Sequence, residues 1–553
     1  MFGFRRSMVQ IVLFLVWATE YWTFDSVVIR YILVSCLASA VVLTLFTYDY
    51  DYWELRGIFS PPPCPLVGHI KSVVTFKEQG GMCFKRIYDT YKNERFLGTH
   101  QFYQRTLVVR DPALIKRVCV TDFQHFVDRG FFFNKDVDPL AGSVLFLRGN
   151  EWKKLRAKIS PIFSPNKLKA MLPLIEDTAC EFVLRLEQLI TKNSSNPDVE
   201  GEVGGNGSPT VINAVKTVGG FTADAIVPCA FGLKSNVMDN EKDPFAVALH
   251  AFYEMSLFNI FEKTMRQFWP AFSLFFRMRI IPKRTHDFFY NIVTGVLRAR
   301  EKGAREKRGD FIDMMMALRN DDRNNNTPKN DDDDVEITDM VISANAFIIF
   351  LGGFETTSST LAFLFLELAV HQHVQEKMRA EILAALRRYD DKICHDLLQE
   401  LTYMDMVIQE TLRLYPPFPS IQRMCTKDYI IPDTDTVVER GTIVLFPTLG
   451  IQRDEQYFEN ANAFVPERWS EGLPHLPPGV YMPFGDGPRY CIGKRFALIQ
   501  MKCCLTRVLQ TVRISPAPRA STLAEPRAEP FEADPRSPLT LHPADSRVTI
   551  SLL

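Results

Sequence analysis

The chain has 553 residues, 46 % hydrophobic and 23 % charged, with 64 basic against 65 acidic side chains and a formal net charge of −1. That composition argues for a globular protein and against a disordered one, and the charge balance lacks the basic excess of a general nucleic-acid binder, so no nucleic acid is expected as a partner. Eleven cysteines, an odd number with no Cys-x-x-Cys spacing, argue against a disulfide framework or a structural zinc site and for a reduced, cytosol-facing body.

Residues 1–30 form an N-terminal extension whose apolar stretch, 8–18, is too short to span a bilayer. Residues 31–48 carry no charge and have the length of a tilted spanning helix. Their late start, with no small-x-small cleavage site behind them, favours a retained membrane anchor over a signal peptide. Arg5, Arg6 and Arg30 precede this span and Asp49, Asp51, Glu54 and Arg56 follow it, so positive-inside counting would place the body in the lumen. Residues 49–65 end in a proline run (Pro61, Pro62, Pro63, Pro65) and read as a stiff hinge.

A length prior of about 150 residues per domain would split the remainder, but one set of motifs spans it, so 66–553 is read as a single domain. Residues 76–319 are mainly helical in pattern, with short strand-like runs such as 107–110; 193–209 is a polar loop and 321–334 an acidic connector. Residues 340–366 have Glu355 as their only charge. Hydropathy alone could make them a second span, but Ser343, Asn345, Thr356, Thr357, Ser358, Ser359 and Thr360 make the centre too polar, which predicts a long helix buried in a globular core. Residues 516–538 are rich in Pro, Ala and Arg and are expected to be poorly ordered.

The chemistry begins at residues 484–493 (FGDGPRYCIG), where Gly485, Gly487 and Pro488 force an irregular loop and a helix is predicted from Ile492. Cys491 then sits at a helix N-terminus, which favours a thiolate and offers an axial iron ligand. Arg489 can pair with a carboxylate of the same cofactor. Trp152 and Arg156 lie i, i+4 on one helix face, and Glu410 and Arg413 lie i, i+3; alone, these would be a helix contact and an ordinary surface pair.

Together these segments resemble the cytochrome P450 family. Phe484, Gly487, Arg489, Cys491 and Gly493 match every fixed position of its haem-binding signature. Trp152 with Arg156, the run Gly352-Gly-Phe-Glu-Thr356, and Glu410-x-x-Arg413 followed by Pro466-Glu-Arg-Trp469 match three further motifs in the right order. The resemblance covers about residues 48–553, and the stretches 50–57, 126–130 and 450–454 look like the insect microsomal clan linked to detoxification.

The resemblance implies a mainly α fold with a smaller β-rich region, preceded by a transmembrane helix. It implies haem b (iron protoporphyrin IX) ligated by Cys491 and framed by Phe484 and Gly493, with Trp152, Arg156, Arg489 and Arg423 toward the propionates. Gly352 would leave room for O2, the co-substrate. Glu355 and Thr356 would organise the proton relay that cleaving the O–O bond needs, and Glu410, Arg413 and Arg468 would form a structural network. Substrate contacts would fall at Phe131, Phe132, Phe133, Phe258, Phe261, Phe350, Phe354, Phe418 and Ile421, while Phe268 and Trp269 could touch the membrane instead.

No flavin or nicotinamide fingerprint is present, so electrons would come from NADPH through a flavoprotein reductase, with cytochrome b5 a second candidate partner. Lys153, Lys154, Lys158, Lys167, Lys494 and Arg495 could dock an acidic partner. The implied activity is insertion of one oxygen atom of O2 into a lipophilic small molecule (xenobiotic, insecticide, plant toxin, or endogenous hormone or lipid) by an enzyme of the endoplasmic reticulum membrane with its body in the cytosol. A haem-thiolate isomerase or dehydratase using peroxide substrates and a non-enzymatic sequestering protein are the alternatives. Three features depart from the pattern. The N-terminal extension is long. The acidic flank opposes a cytosolic body; in a lumenal one Asn193, Asn206 and Asn325 would be glycosylation sites. The proline-rich segment after Thr511 replaces an expected hairpin and puts the final substrate turn, near Leu539, off the pattern.

Overall fold

The computed structural model describes residues 27–194, 209–253, 275–303, 309–324, 335–472, 476–518, 529–537 and 539–553. Helix α1, Val27–Thr47, presents apolar side chains outward, Tyr31 (71 % exposed), Ile32 and Val34 among them. Its apolar core, Val34–Thr44, is shorter than the span expected over 31–48. Among the described residues only Asp339–Val370 is long and apolar enough to cross a membrane, and half of its apolar window is buried in protein.

The segment expected to be a hinge is docked onto the body instead. Trp53 is 0 % exposed and its Nε1–H donates to Thr99 O at 3.0 Å on strand β1, Phe96–Gln101. The indole fills the space over Gly98, where a Cβ would fall 2.1 Å from the ring. Asp49 pairs with Arg105 on strand β2, Gln104–Val109, and Arg105 lies 3.7 Å over the Tyr52 ring. Even the proline run is held, because Pro61 O is 2.8 Å from His69 Nε2.

Helices α2 (Gly149–Ile159) and α3 (Pro165–Ser194) follow, then strand β3 (Thr210–Asn213), helix α4 (Ala214–Phe231) and helix α5 (Lys283–Glu301). Helix α3 runs two residues into the expected polar loop, and the helix Phe311–Asn324 runs into the expected acidic connector. The centre of the molecule is helix α6, Asp339–Val370, packed against α4. At this crossing Gly353 allows the close approach: a Cβ there would meet Ile226 of α4 at 2.9 Å. Several polar residues of α6 are tolerated in the core because their hydrogens go to carbonyls one turn back. Ser343 Oγ donates to Asp339 O (2.7 Å), Asn345 Nδ2 to Val341 O (2.8 Å) and Thr360 Oγ1 to Thr356 O (2.9 Å).

Helix α7 (Thr402–Leu414), strands β4 (Ile421–Met424) and β5 (Ile443–Phe446), helix α8 (Lys494–Thr511) and strands β6 (Val512–Pro516) and β7 (Arg547–Leu552) complete the frame. A four-stranded sheet has the order β1-β2-β5-β4, with β2 and β5 parallel and the other pairs antiparallel. All four residues of β5 (Ile, Val, Leu, Phe) are buried, as a strand covered on both faces requires. A second sheet has the order β3-β7-β6, antiparallel throughout. The terminal strands thus pair despite the proline-rich segment: Val512 faces Leu552 and Ile514 faces Ile550, and the insertion is an excursion between two paired strands.

Candidate active site

The loop before α8 is closed by its own backbone. Cys491 N–H donates to Phe484 O (2.8 Å) and Tyr490 N–H to Gly487 O (2.9 Å). Gly487 has φ +70°, and a Cβ there would lie 1.8 Å from Cys119 O, so the loop needs glycine at this position on both counts. Helix α8 starts at Lys494, two residues later than expected, and Cys491 sits in the turn ahead of it. Burial pushes the Cys491 thiol up, while the Gly493 N–H, Arg156, Arg129 and Lys494 pull it down. Burial wins, so a thiolate here needs a further cation, as a bound metal would supply.

Four guanidiniums gather beside this loop. Arg489 is buried. Its Nε donates to Val127 O (2.8 Å) and its Nη2 to Leu147 O (2.8 Å), and its plane lies 3.8 Å over the Trp152 ring on α2. Arg129 donates to Leu145 O (3.1 Å) and Arg489 O (2.9 Å), and Arg156 to Tyr490 O (3.0 Å). Arg423 on β4 donates through Nη1 to Gln422 O (2.9 Å), and its buried Nε has no partner among the described residues. Asp128, 3.6 Å from Arg489, is the one carboxylate in an ion pair with the group among the described residues.

Burial holds Arg489 down at about 8 and Arg129 at about 9, and repulsion from the neighbouring arginines adds to both. Burial likewise lowers Arg423 and Arg156. Such a concentration of buried and half-buried positive charge calls for an anion. The two propionates of a porphyrin, with iron at Cys491, suit these groups, so the residues present fit haem b. Arg129 was missed in the sequence, although it stands in the stretch 126–130 noted there.

Gly352 on α6 faces open space, with no atom within 4 Å of a built Cβ. Thr356 Oγ1 donates to Gly352 O at 2.7 Å, which leaves the hydroxyl oxygen as an acceptor. Glu355 Oε1 accepts from Thr540 Oγ1 (2.5 Å) and lies 2.8 Å from His542 Nε2. These partners come from the C-terminal segment, nearly two hundred residues along the chain, and no local spacing signals them.

Glu410 and Arg413 on α7 are both fully buried and meet through two hydrogen bonds of 2.8 Å. Glu410 also accepts from Arg468 (3.0 Å), Trp469 Nε1 (2.9 Å) and Val465 N (2.9 Å), and Arg413 donates to the carbonyls of Gln452, Ala461 and Ala463.

Of the expected substrate contacts, Phe350 is 0 % exposed and packs among Phe231, Phe245 and Phe289. It is a core residue and not the expected pocket wall, because aromatic packing from α4, α5 and the helix Pro244–Tyr253 covers its face of α6. Phe354, Phe131, Phe132, Phe133 and Ile421 are partly buried, and Phe418 is 38 % exposed. Phe258, Phe261, Phe268 and Trp269 lie outside the described residues. Lys153, Lys167, Lys494 and Arg495 are exposed, whereas Lys158 donates to Val335 O at 3.0 Å.

The family model for cytochrome P450 matches residues 59–531. The chain is 33 % identical to cytochrome P450 6B1 of Papilio polyxenes over 89 % of this chain and 93 % of the relative. It is 32 % identical to cytochrome P450 6j1 of Blattella germanica over the same shares, and 32 % identical to probable cytochrome P450 6a23 of Drosophila melanogaster over 88 % and 93 %.

Proposed function

The chain belongs to the cytochrome P450 family, and on that premise we propose that it is a membrane-anchored haem-thiolate monooxygenase acting on lipophilic small molecules. The observation that carries this reading is the set of four guanidiniums beside Cys491, two of them (Arg423 and Arg489) buried and two (Arg129 and Arg156) partly buried, with a single paired carboxylate among the described residues. Cys491 would ligate the iron, framed by Phe484 and Gly493. Arg129, Arg156, Arg423 and Arg489 would hold the propionates, with Trp152 supporting Arg489 from below.

When bound, haem b supplies the thiolate-ligated iron at which O2 is activated and one oxygen atom is passed to substrate. The chain's own residues supply space and protons. Gly352 leaves the helix surface open, the Thr356 hydroxyl holds a proton against Gly352 O, and Glu355 is the acid beside it. Phe131, Phe132, Phe133, Phe354, Phe418 and Ile421 line the substrate side.

Electrons come from NADPH through a flavoprotein reductase, or cytochrome b5, docked on the exposed basic groups around Lys153 and Lys494. The exposed apolar side chains of α1 support a membrane anchor; the endoplasmic reticulum and a cytosolic body are what the family resemblance implies. The presence of an acid–alcohol pair favours oxygen activation over the peroxide-isomerase reading, which needs no proton relay.

The test is the carbon monoxide difference band for which the family is named, followed by reductase-dependent turnover. Cys491→Ser should lose the band while Cys503→Ser and Cys504→Ser keep it. A normal band in Cys491→Ser would sink the assignment. Haem binding without NADPH-dependent product on any lipophilic substrate would favour the sequestering reading.

A further inference from the structure

Glu355 is tied to a part of the chain that the acid–alcohol motif does not include. Its Oε1 takes two donors, Thr540 Oγ1 at 2.5 Å and His542 Nε2 at 2.8 Å, and these two are 3.2 Å from each other. The segment that carries them is itself held by hydrogen bonds at several points. Ser359, one turn beyond Glu355 on α6, donates to Leu541 O, and Leu541 N–H donates to Pro417 O at 2.9 Å, next to Phe418. Ser537 Oγ donates to Thr540 O (2.5 Å), and Asp534 N–H to His542 O (2.8 Å). Such a platform is rigid enough to impose an orientation on a side chain with three rotatable bonds.

We propose that His542 is a positioning residue for proton delivery: its Nε2–H, with the Thr540 hydroxyl, sets the orientation of the Glu355 carboxylate beside Thr356. The acid's direction is then decided by the C-terminal segment, which is also hydrogen-bonded to the turn carrying Phe418, and not by helix α6 alone. Nε2 faces the carboxylate as a donor, and the buried Nδ1 has no hydrogen-bond partner among the described residues. The ring's role is therefore that of a donor, which an amide can replace. The inference rests on the monooxygenase reading, because it concerns how that reaction is coupled.

The experiment has two arms on the full-length protein. In the first, diethyl pyrocarbonate labelling is read by mass spectrometry without turnover. His542 should label much more slowly than the exposed His373 and should gain reactivity in Glu355→Leu. Equal labelling of His542 and His373 in the wild type would overturn the contact.

In the second arm, product and hydrogen peroxide are measured per NADPH consumed. His542→Leu should lose product and release more peroxide while keeping the carbon monoxide band, and His542→Gln, which keeps a donor, should restore coupling. A fully coupled His542→Leu, or a His542→Gln as uncoupled as His542→Leu, would overturn the positioning role. A wild type that binds haem but gives no product with any electron donor refutes the monooxygenase reading instead, and the labelling arm still decides whether Glu355 is clamped.

Discussion

Thr356 carries the sharpest consequence for a single side chain. Its hydroxyl bonds to Gly352 O within the helix, so Thr356→Ala removes one proton-holding group and little volume. Folding and the carbon monoxide band should survive. A general acid–base element contributes about 10²–10⁴-fold, and water can substitute in part, so the rate should fall at the low end of that range. Coupling is the better measure: peroxide released per NADPH should rise and product should fall. A fully coupled Thr356→Ala would mean the hydroxyl merely satisfies its helix. The motif residues Cys491, Arg489, Glu355 and Thr356 were legible because each stands in a short pattern with its own chemistry. His542 and Thr540 were not, since a partner that far along the chain has no spacing signature.

Among the elements, the α7 pair is the most exposed to a single deletion. In sequence Glu410 and Arg413 look like a surface ion pair worth a few tenths of a kcal/mol. Both are fully buried, and Glu410 accepts from Arg413, Arg468, Trp469 and the Val465 backbone. Removing the carboxylate strands the Arg413 charge in the core. Glu410→Ala should therefore lose about 3–5 kcal/mol, read as a fall in thermal midpoint together with loss of haem on purification. An intact midpoint would show that the carbonyls of Gln452, Ala461 and Ala463 suffice to hold the guanidinium. The i, i+3 spacing was visible in the chain, but burial was not, because it depends on the 459–469 segment folding over α7.

For the whole molecule, two surfaces bear on the proposed membrane-bound electron transfer. Lys153 and Lys494 are exposed on elements flanking the cysteine loop. Charge reversal there to Glu should slow reductase-supported turnover and flatten its dependence on salt, while turnover driven by added peroxide is spared. Equal loss in both assays would locate the damage at the haem site. The second surface is the junction with α1, the proposed anchor. Residues 49–58 are packed into the β1–β2 hairpin, so α1 meets the body through a fixed joint. The acidic flank still opposes a cytosolic body by charge counting. Protease added to sealed microsomes should digest the body and leave Asn193, Asn206 and Asn325 unglycosylated. Protection with an endoglycosidase-sensitive mass shift would place the body in the lumen.

The sequence by itself determined the family, the cysteine loop and the largely buried status of residues 340–366, because each is written in short-range spacing or in composition. Only the tertiary structure decided the rest. It turned the expected hinge into a docked segment through the burial of Trp53, moved Phe350 from pocket to core, and paired β6 with β7 across the proline-rich insertion. It also added Arg129 to the cationic cluster and tied Glu355 to His542. These outcomes depend on contacts between distant segments, whose energy comes from desolvation and close packing, and neither quantity is encoded in the local order of residues.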